Sequence, residues 1–68
     1  MDAFRKGDRV SWRSHGSRAV GTVQRKITSD TREAGRTVRA STQDPQYVVR
    51  SDKSGREAVH RPSALEKE

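Results

Sequence analysis

Apolar residues fall in short clusters at alternate positions, separated by residues that favour turns. In Arg9-Val10-Ser11-Trp12-Arg13, Val10 and Trp12 take one face and Arg9, Ser11 and Arg13 the other, which is the period of a strand with one buried side. Ser14 to Arg18 reads as a loop. Ala19 to Ile27 predicts a second strand, with Gly21, Val23 and Ile27 in phase. Gly21 inside it implies a sharp bend or a close backbone approach. Arg25 falls on the inward phase, so a bulge is expected there, or an arginine stem packed with its head in water. Thr28 to Arg36 lacks apolar periodicity and reads as a mobile loop.

Thr37 to Ala40 predicts a short third strand with Val38 and Ala40 inward, and Ser41 to Pro45 turns the chain. Tyr47 to His60 then reads as a hairpin about Asp52-Lys53-Ser54-Gly55, with Asp and Gly at the ends of a type I turn. A three-residue loop with a bulge at Gly55 places Val49 opposite Val59, whereas a four-residue loop places Val49 opposite Ala58. The first register is the expectation, and it sets His60 opposite Val48 at the surface. A single 3₁₀ turn over Arg61–Leu65 would drop Leu65 onto the open end of the core, and Glu66–Glu68 would fray. Five short strands in 68 residues suit one small, strongly bent barrel in which the sheet curls on itself. The expected core is Val10, Trp12, Val23, Ile27, Val38, Tyr47, Val49, Val59 and Leu65, with Val20 and Val48 exposed or half-covered.

Composition tightens this picture. The chain allows one small domain, residues 1–68 with its core in about 7–65. A domain this size buries only ~60% of its unfolded surface. Val, Ile, Leu and Phe make up roughly 15% of the residues, in the range associated with disorder at high net charge, but their clustering between turn signals argues for a fold. Without cysteine neither disulfides nor a thiolate zinc site supplements the core. No apolar run approaches the about 18 residues of a membrane span, and the N-terminus has no secretory signal pattern. A soluble, cytoplasmic monomer is the expectation.

Four segments together resemble the hypervirulence-associated protein TUDOR-domain family: Lys6-Gly7-Asp8-Arg9-Val10-Ser11-Trp12, Gly21-Thr22-Val23, Asp44-Pro45-Gln46-Tyr47-Val48-Val49-Arg50-Ser51-Asp52 and Ala58-Val59-His60-Arg61-Pro62-Ser63-Ala64-Leu65. Their order and spacing carry the resemblance, which covers roughly residues 4–67. It implies an all-β, five-stranded SH3-like or Tudor-like barrel. Tudor barrels elsewhere bind methylated lysine or arginine and related small barrels bind nucleic acid, but fold alone does not fix function.

Fifteen Lys and Arg stand against nine Asp and Glu, a formal charge of +6, which draws a protein toward polyanions. On the expected strand phases Arg9, Arg13, Gln24, Lys26 and Arg39 point outward, and Arg50 and Arg61 extend the set. Acids are interspersed among them, and a solvated surface is the bland alternative. Trp12 and Tyr47, with Asp44 or Asp52 near, are candidates for a partial aromatic cage around a methylated cation, although both fall on core positions. His15 and His60 stand far apart, without cysteine, and make a poor metal set. No nucleophile elbow, phosphate loop or informative carboxylate pair is present. The sequence therefore predicts a non-enzymatic binding module with no cofactor or metal. Its basic surface would engage nucleic acid first and an acidic protein surface or peptide second, the latter through the Ser29–Arg36 loop and the loop around His15.

Overall fold

The alternating stretches form strands, and two of the expected loops hold strand as well. The computed structural model describes residues 3–33 and 35–68; Met1, Asp2 and Ala34, the last within the expected Thr28–Arg36 loop, lie outside the described residues. The strands are β1 (Arg9–Ser14), β2 (Ser17–Ile27), β3 (Thr31–Glu33), β4 (Arg36–Val38), β5 (Gln46–Ser51), β6 (Glu57–His60) and β7 (Glu66–Lys67), with a 3₁₀ turn at Pro62–Ala64. Five of them make an antiparallel sheet in the order β6-β5-β2-β1-β7, and β3-β4 forms a separate two-stranded sheet.

This corrects the expected closed five-stranded barrel: the described residues hold seven strands, in sheets that do not close. No ladder joins the edges β6 and β7, and the β3–β4 hairpin is bonded to neither. Thr28–Arg36 is not all loop, since Thr31 pairs with Val38 and Glu33 with Arg36. The third expected strand correspondingly runs Arg36–Val38. The tail does not fray: Lys67 pairs with Val10 and Glu66 with Ser11, and the Glu68 N–H donates to the Arg9 carbonyl at 2.9 Å. Ser14–Arg18 narrows to a two-residue turn, with His15 at φ 48° and Gly16 at φ 79°. Two successive positive φ angles define the turn whose twist matches paired strands.

Residues directly opposite in a ladder share a face. One face carries Val10, Trp12, Val23, Tyr47 and Val49, and Phe4 and Leu65 complete that cluster. Phe4, outside the expected core, meets Tyr47 edge-on at 5.5 Å between centroids. Pro62–Ala64 delivers Leu65 to this cluster as the sequence implies. The anticipated bulge is present: Val23 pairs with Val49 and Arg25 with Val48, leaving Gln24 as the extra residue. Beyond it every β2 side chain changes face. Ile27 therefore joins Val48, Val59 and Val38 in a second cluster, against which Ala40 packs, while Arg25 reaches Glu33 of β3 in an ion pair. Val48 is thus wholly buried, contrary to expectation, because the β3–β4 hairpin covers the second face. Asp30 accepts the Ala40 N–H at 3.0 Å, and Gln46 Nε2 donates to the Arg39 carbonyl at 2.5 Å.

The four-residue loop wins in the C-terminal hairpin. Val49 pairs with Ala58, Val48 with Val59 and Tyr47 with His60; the Ser51 N–H donates to the Arg56 carbonyl and the Gly55 N–H to the Ser51 carbonyl, each at 2.9 Å. Gly55 takes φ 72°, as required to close the turn. Gly21 makes the close approach that its strand position implies: a Cβ there would stand 2.0 Å from the Arg50 carbonyl oxygen and 2.8 Å from Trp12 Cη2.

Candidate functional site

The solvent face of the β1–β2–β5 region collects cations. Arg9 stands opposite Thr22 and Arg13 opposite Arg18; Thr22 in turn stands opposite Arg50, and Arg50 opposite Glu57. Register therefore puts Arg9, Arg13, Arg18 and Arg50 on one face, away from the Trp12–Tyr47 cluster. Arg9 Nη2 lies 2.5 Å from Asp52 Oδ2, and Arg9 Nη1 donates to Asp52 Oδ1 at 2.9 Å and to Thr22 Oγ1 at 3.3 Å. That hydrogen bond, and then the charge of Arg9, hold the Asp52 carboxyl below its ordinary range despite some desolvation. Arg18 turns over the buried Ser11, donating from Nε at 3.1 Å and from Nη2 at 2.9 Å, and pairs with Glu66. Arg13 is exposed and has no ion pair among the described residues.

The other sequence candidates lie elsewhere. Lys26 stands opposite Tyr47, on the first-cluster face, because the Gln24 bulge reverses its phase. Arg39 follows β4, exposed. Arg61 Nη2 lies 3.6 Å from Asp44 Oδ2, near the Ser41–Asp44 turn. Arg9, Arg13 and Arg50 share one face by register, whereas Lys26 is on the other and Arg39 and Arg61 lie outside the β1–β2–β5 ladders. Arg18, absent from the sequence candidates, belongs to the face. Its signal is the His15-Gly16 pair, whose two-residue turn sets Arg18 against Arg13.

Trp12 and Tyr47 share a cluster, but Tyr47 is 0% and Trp12 6% exposed, so their rings pack against core atoms. Asp52 is held by Arg9 and Asp44 by Arg61. His60 is half-buried and opposite Tyr47, not at the surface opposite Val48 as expected; its ring lies 5.5 Å from that of Trp12. Burial first, then the charge of Arg36, lower its pKa. His60 Nε2 and Tyr47 Oη are buried without a hydrogen-bond partner. Among the described residues no group of three or more His, Asp or Glu could hold a metal ion, and no helix is long and apolar enough to cross a membrane.

An open cleft of about 740 Å³ lies between the β1–β2 and β5–β6 turns. Trp12, Ala19 and Ala58 line it with several serines, and its charged lining is Arg18, Lys53 and Arg56 against Asp52 and Glu57.

Residues 7–65 match the family model described as the TUDOR domain of hypervirulence-associated proteins. Neither a curated protein nor a solved structure matches the chain.

Proposed function

The chain belongs to the hypervirulence-associated protein TUDOR-domain family, and from that premise we propose a non-enzymatic binding module whose basic face engages an anionic partner, nucleic acid before an acidic protein surface. Domains of the Tudor type are small binding modules, and that family membership supports the reading.

The observation that carries the reading is the Arg13–Arg18 pair. Like charges directly opposite in a ladder destabilise it. Glu66 neutralises Arg18, whereas Arg13 points to solvent with no acid of its own among the described residues. An incoming phosphate supplies that acid and displaces counterions from its own strand. Phe4, Trp12 and Tyr47 are all buried, so the face offers no aromatic platform for stacked bases. Contacts to phosphate then position the partner and read little sequence. Arg13 and Arg50 carry this contact on the face, Arg9 joins them only when its ion pair with Asp52 opens, and Lys26, Arg39 and Arg61 act on a partner that wraps beyond it.

The test is binding to random-sequence duplex DNA and RNA across a salt series. Affinity should fall log–log with salt at a slope of about −0.9 per phosphate contact, and Arg13→Glu should weaken every sequence alike. Absence of binding at low salt removes the reading. Capture of acidic peptides in place of either duplex would move it to a protein partner.

A further inference from the structure

We propose that the cleft between the β1–β2 and β5–β6 turns is a second anion site, fitted to the terminal phosphate monoester of a nucleic-acid strand. This rests on the nucleic-acid reading above and assigns the strand end to a place away from Arg13.

The balance of charge around the cleft favours this. Arg56 lies across from Ser51, whose N–H bonds the Arg56 carbonyl, so Arg56 belongs to the cleft face. Glu57 stands opposite Arg50 in the ladder and also reaches the cleft wall. Asp52, the acid at the start of the turn, is drawn to Arg9 and holds its charge there. Lys53 and Arg56 are exposed and make no ion pair among the described residues, and with Arg18 they outnumber the two acids, Asp52 and Glu57, that also line the cleft.

The hydroxyls add direction. Ser51 Oγ accepts the Ser54 N–H at 3.5 Å, and Ser54 Oγ accepts the Arg56 N–H at 3.2 Å. Each oxygen is used as an acceptor, and neither hydroxyl hydrogen is committed to a protein acceptor among the described residues. Two O–H donors beside two cations suit the oxygens of a phosphoryl group. A monoester carries up to one more negative charge than a backbone diester, so such a site favours a strand end over an internal linkage. Ala19, Ala58 and the rim of Trp12 give the attached sugar an apolar floor.

The experiment compares one oligonucleotide with and without its terminal phosphate, on the wild-type chain, on Lys53→Glu/Arg56→Glu and on Arg13→Glu. The phosphorylated form should bind several-fold tighter to the wild type. The double variant should erase that ratio, while Arg13→Glu should lower both affinities and keep the ratio. Amide shifts with uridine monophosphate should fall on residues 14–19 and 51–58 and vanish in the double variant. A ratio of one in the wild type, a ratio surviving in the double variant, or a silent nucleotide titration overturns the strand-end site. Loss of both affinities in Arg13→Glu with the ratio intact sustains the basic face independently. A phosphoserine peptide that binds through Lys53 and Arg56, where the strand end does not, overturns it in favour of a phosphoprotein.

Discussion

Arg9 of β1 grips Asp52 of the β5–β6 turn with both terminal nitrogens, at 2.5 and 2.9 Å, and so ties the sheet's N-terminal strand to its far hairpin. The Asp52 N–H also donates to the Val20 carbonyl at 2.9 Å, so backbone and side chain both anchor the turn. The ion pair is solvent-exposed, and exposed pairs contribute little to stability. Its larger effect is to occupy a cation that would otherwise meet a phosphate.

Asp52→Asn should leave thermal stability nearly unchanged while tightening duplex binding, because Arg9 is released. The slope of log affinity against log salt should steepen by about one unit. A salt titration of the variant beside the wild type checks it; an unchanged slope would mean that Arg9 lies outside the contact.

Gly21→Ala should destabilise strongly. The new methyl would press on the Arg50 carbonyl and on the Trp12 ring, and backbone cannot yield as a flexible side chain does. A loss of about 3 kcal/mol is expected, the upper end of what overpacking typically costs, read by urea unfolding followed through Trp12 fluorescence. A loss under about 1 kcal/mol would show that β2 and β5 are further apart than this register holds them.

Val48→Ala removes two methyl groups from a wholly buried site between Ile27, Val38 and Val59. The cost should be about 2–3 kcal/mol, a large share of the stability of so small a domain. Val20→Ala, at a half-exposed site, should cost clearly less. Equal losses would argue that the β3–β4 hairpin does not cover the second face.

His60 gives the fold a mild acid sensitivity. Burial and Arg36 hold its folded pKa below the ordinary 6.5, so the neutral ring is favoured in the folded state. As pH falls through about 6.5 the unfolded chain takes up a proton that the folded chain resists. Stability therefore declines from that point and levels once the folded pKa is passed. Asp8 and Asp52, held below 3.8 by the Arg5 N–H and by Arg9 respectively, lose their contributions only at lower pH. Melting temperatures between pH 8 and 5 should fall for the wild type and stay flatter for His60→Gln; parallel curves would exclude His60 as the cause.

Alternation and turn chemistry made most of this fold legible: Val10 and Trp12, Val23, Tyr47 and Val49 are buried where period two places them. What escaped has two physical sources. A one-residue bulge reverses the parity of everything after it, so Gln24 alone moves Lys26 and Ile27 to faces that counting does not give. The consecutive apolar run Tyr47-Val48-Val49 needs cover on both sides, and the cover over Val48 is a hairpin with only Val38 and Ala40 to announce it. The basic face was half legible. Strand phase joins Arg9 to Arg13, but reading Ser14–Arg18 as a loop hides Arg18, and the choice of hairpin register decides which residue stands opposite Arg50.

Amide chemical-shift mapping with a short random-sequence duplex at low salt tests the basic face most directly. The expected result is perturbation along Arg9–Arg13, Thr22 and Arg50, diminished by Arg13→Glu and erased by added salt. Perturbation confined to the β3–β4 hairpin, or none at any salt concentration, would contradict it.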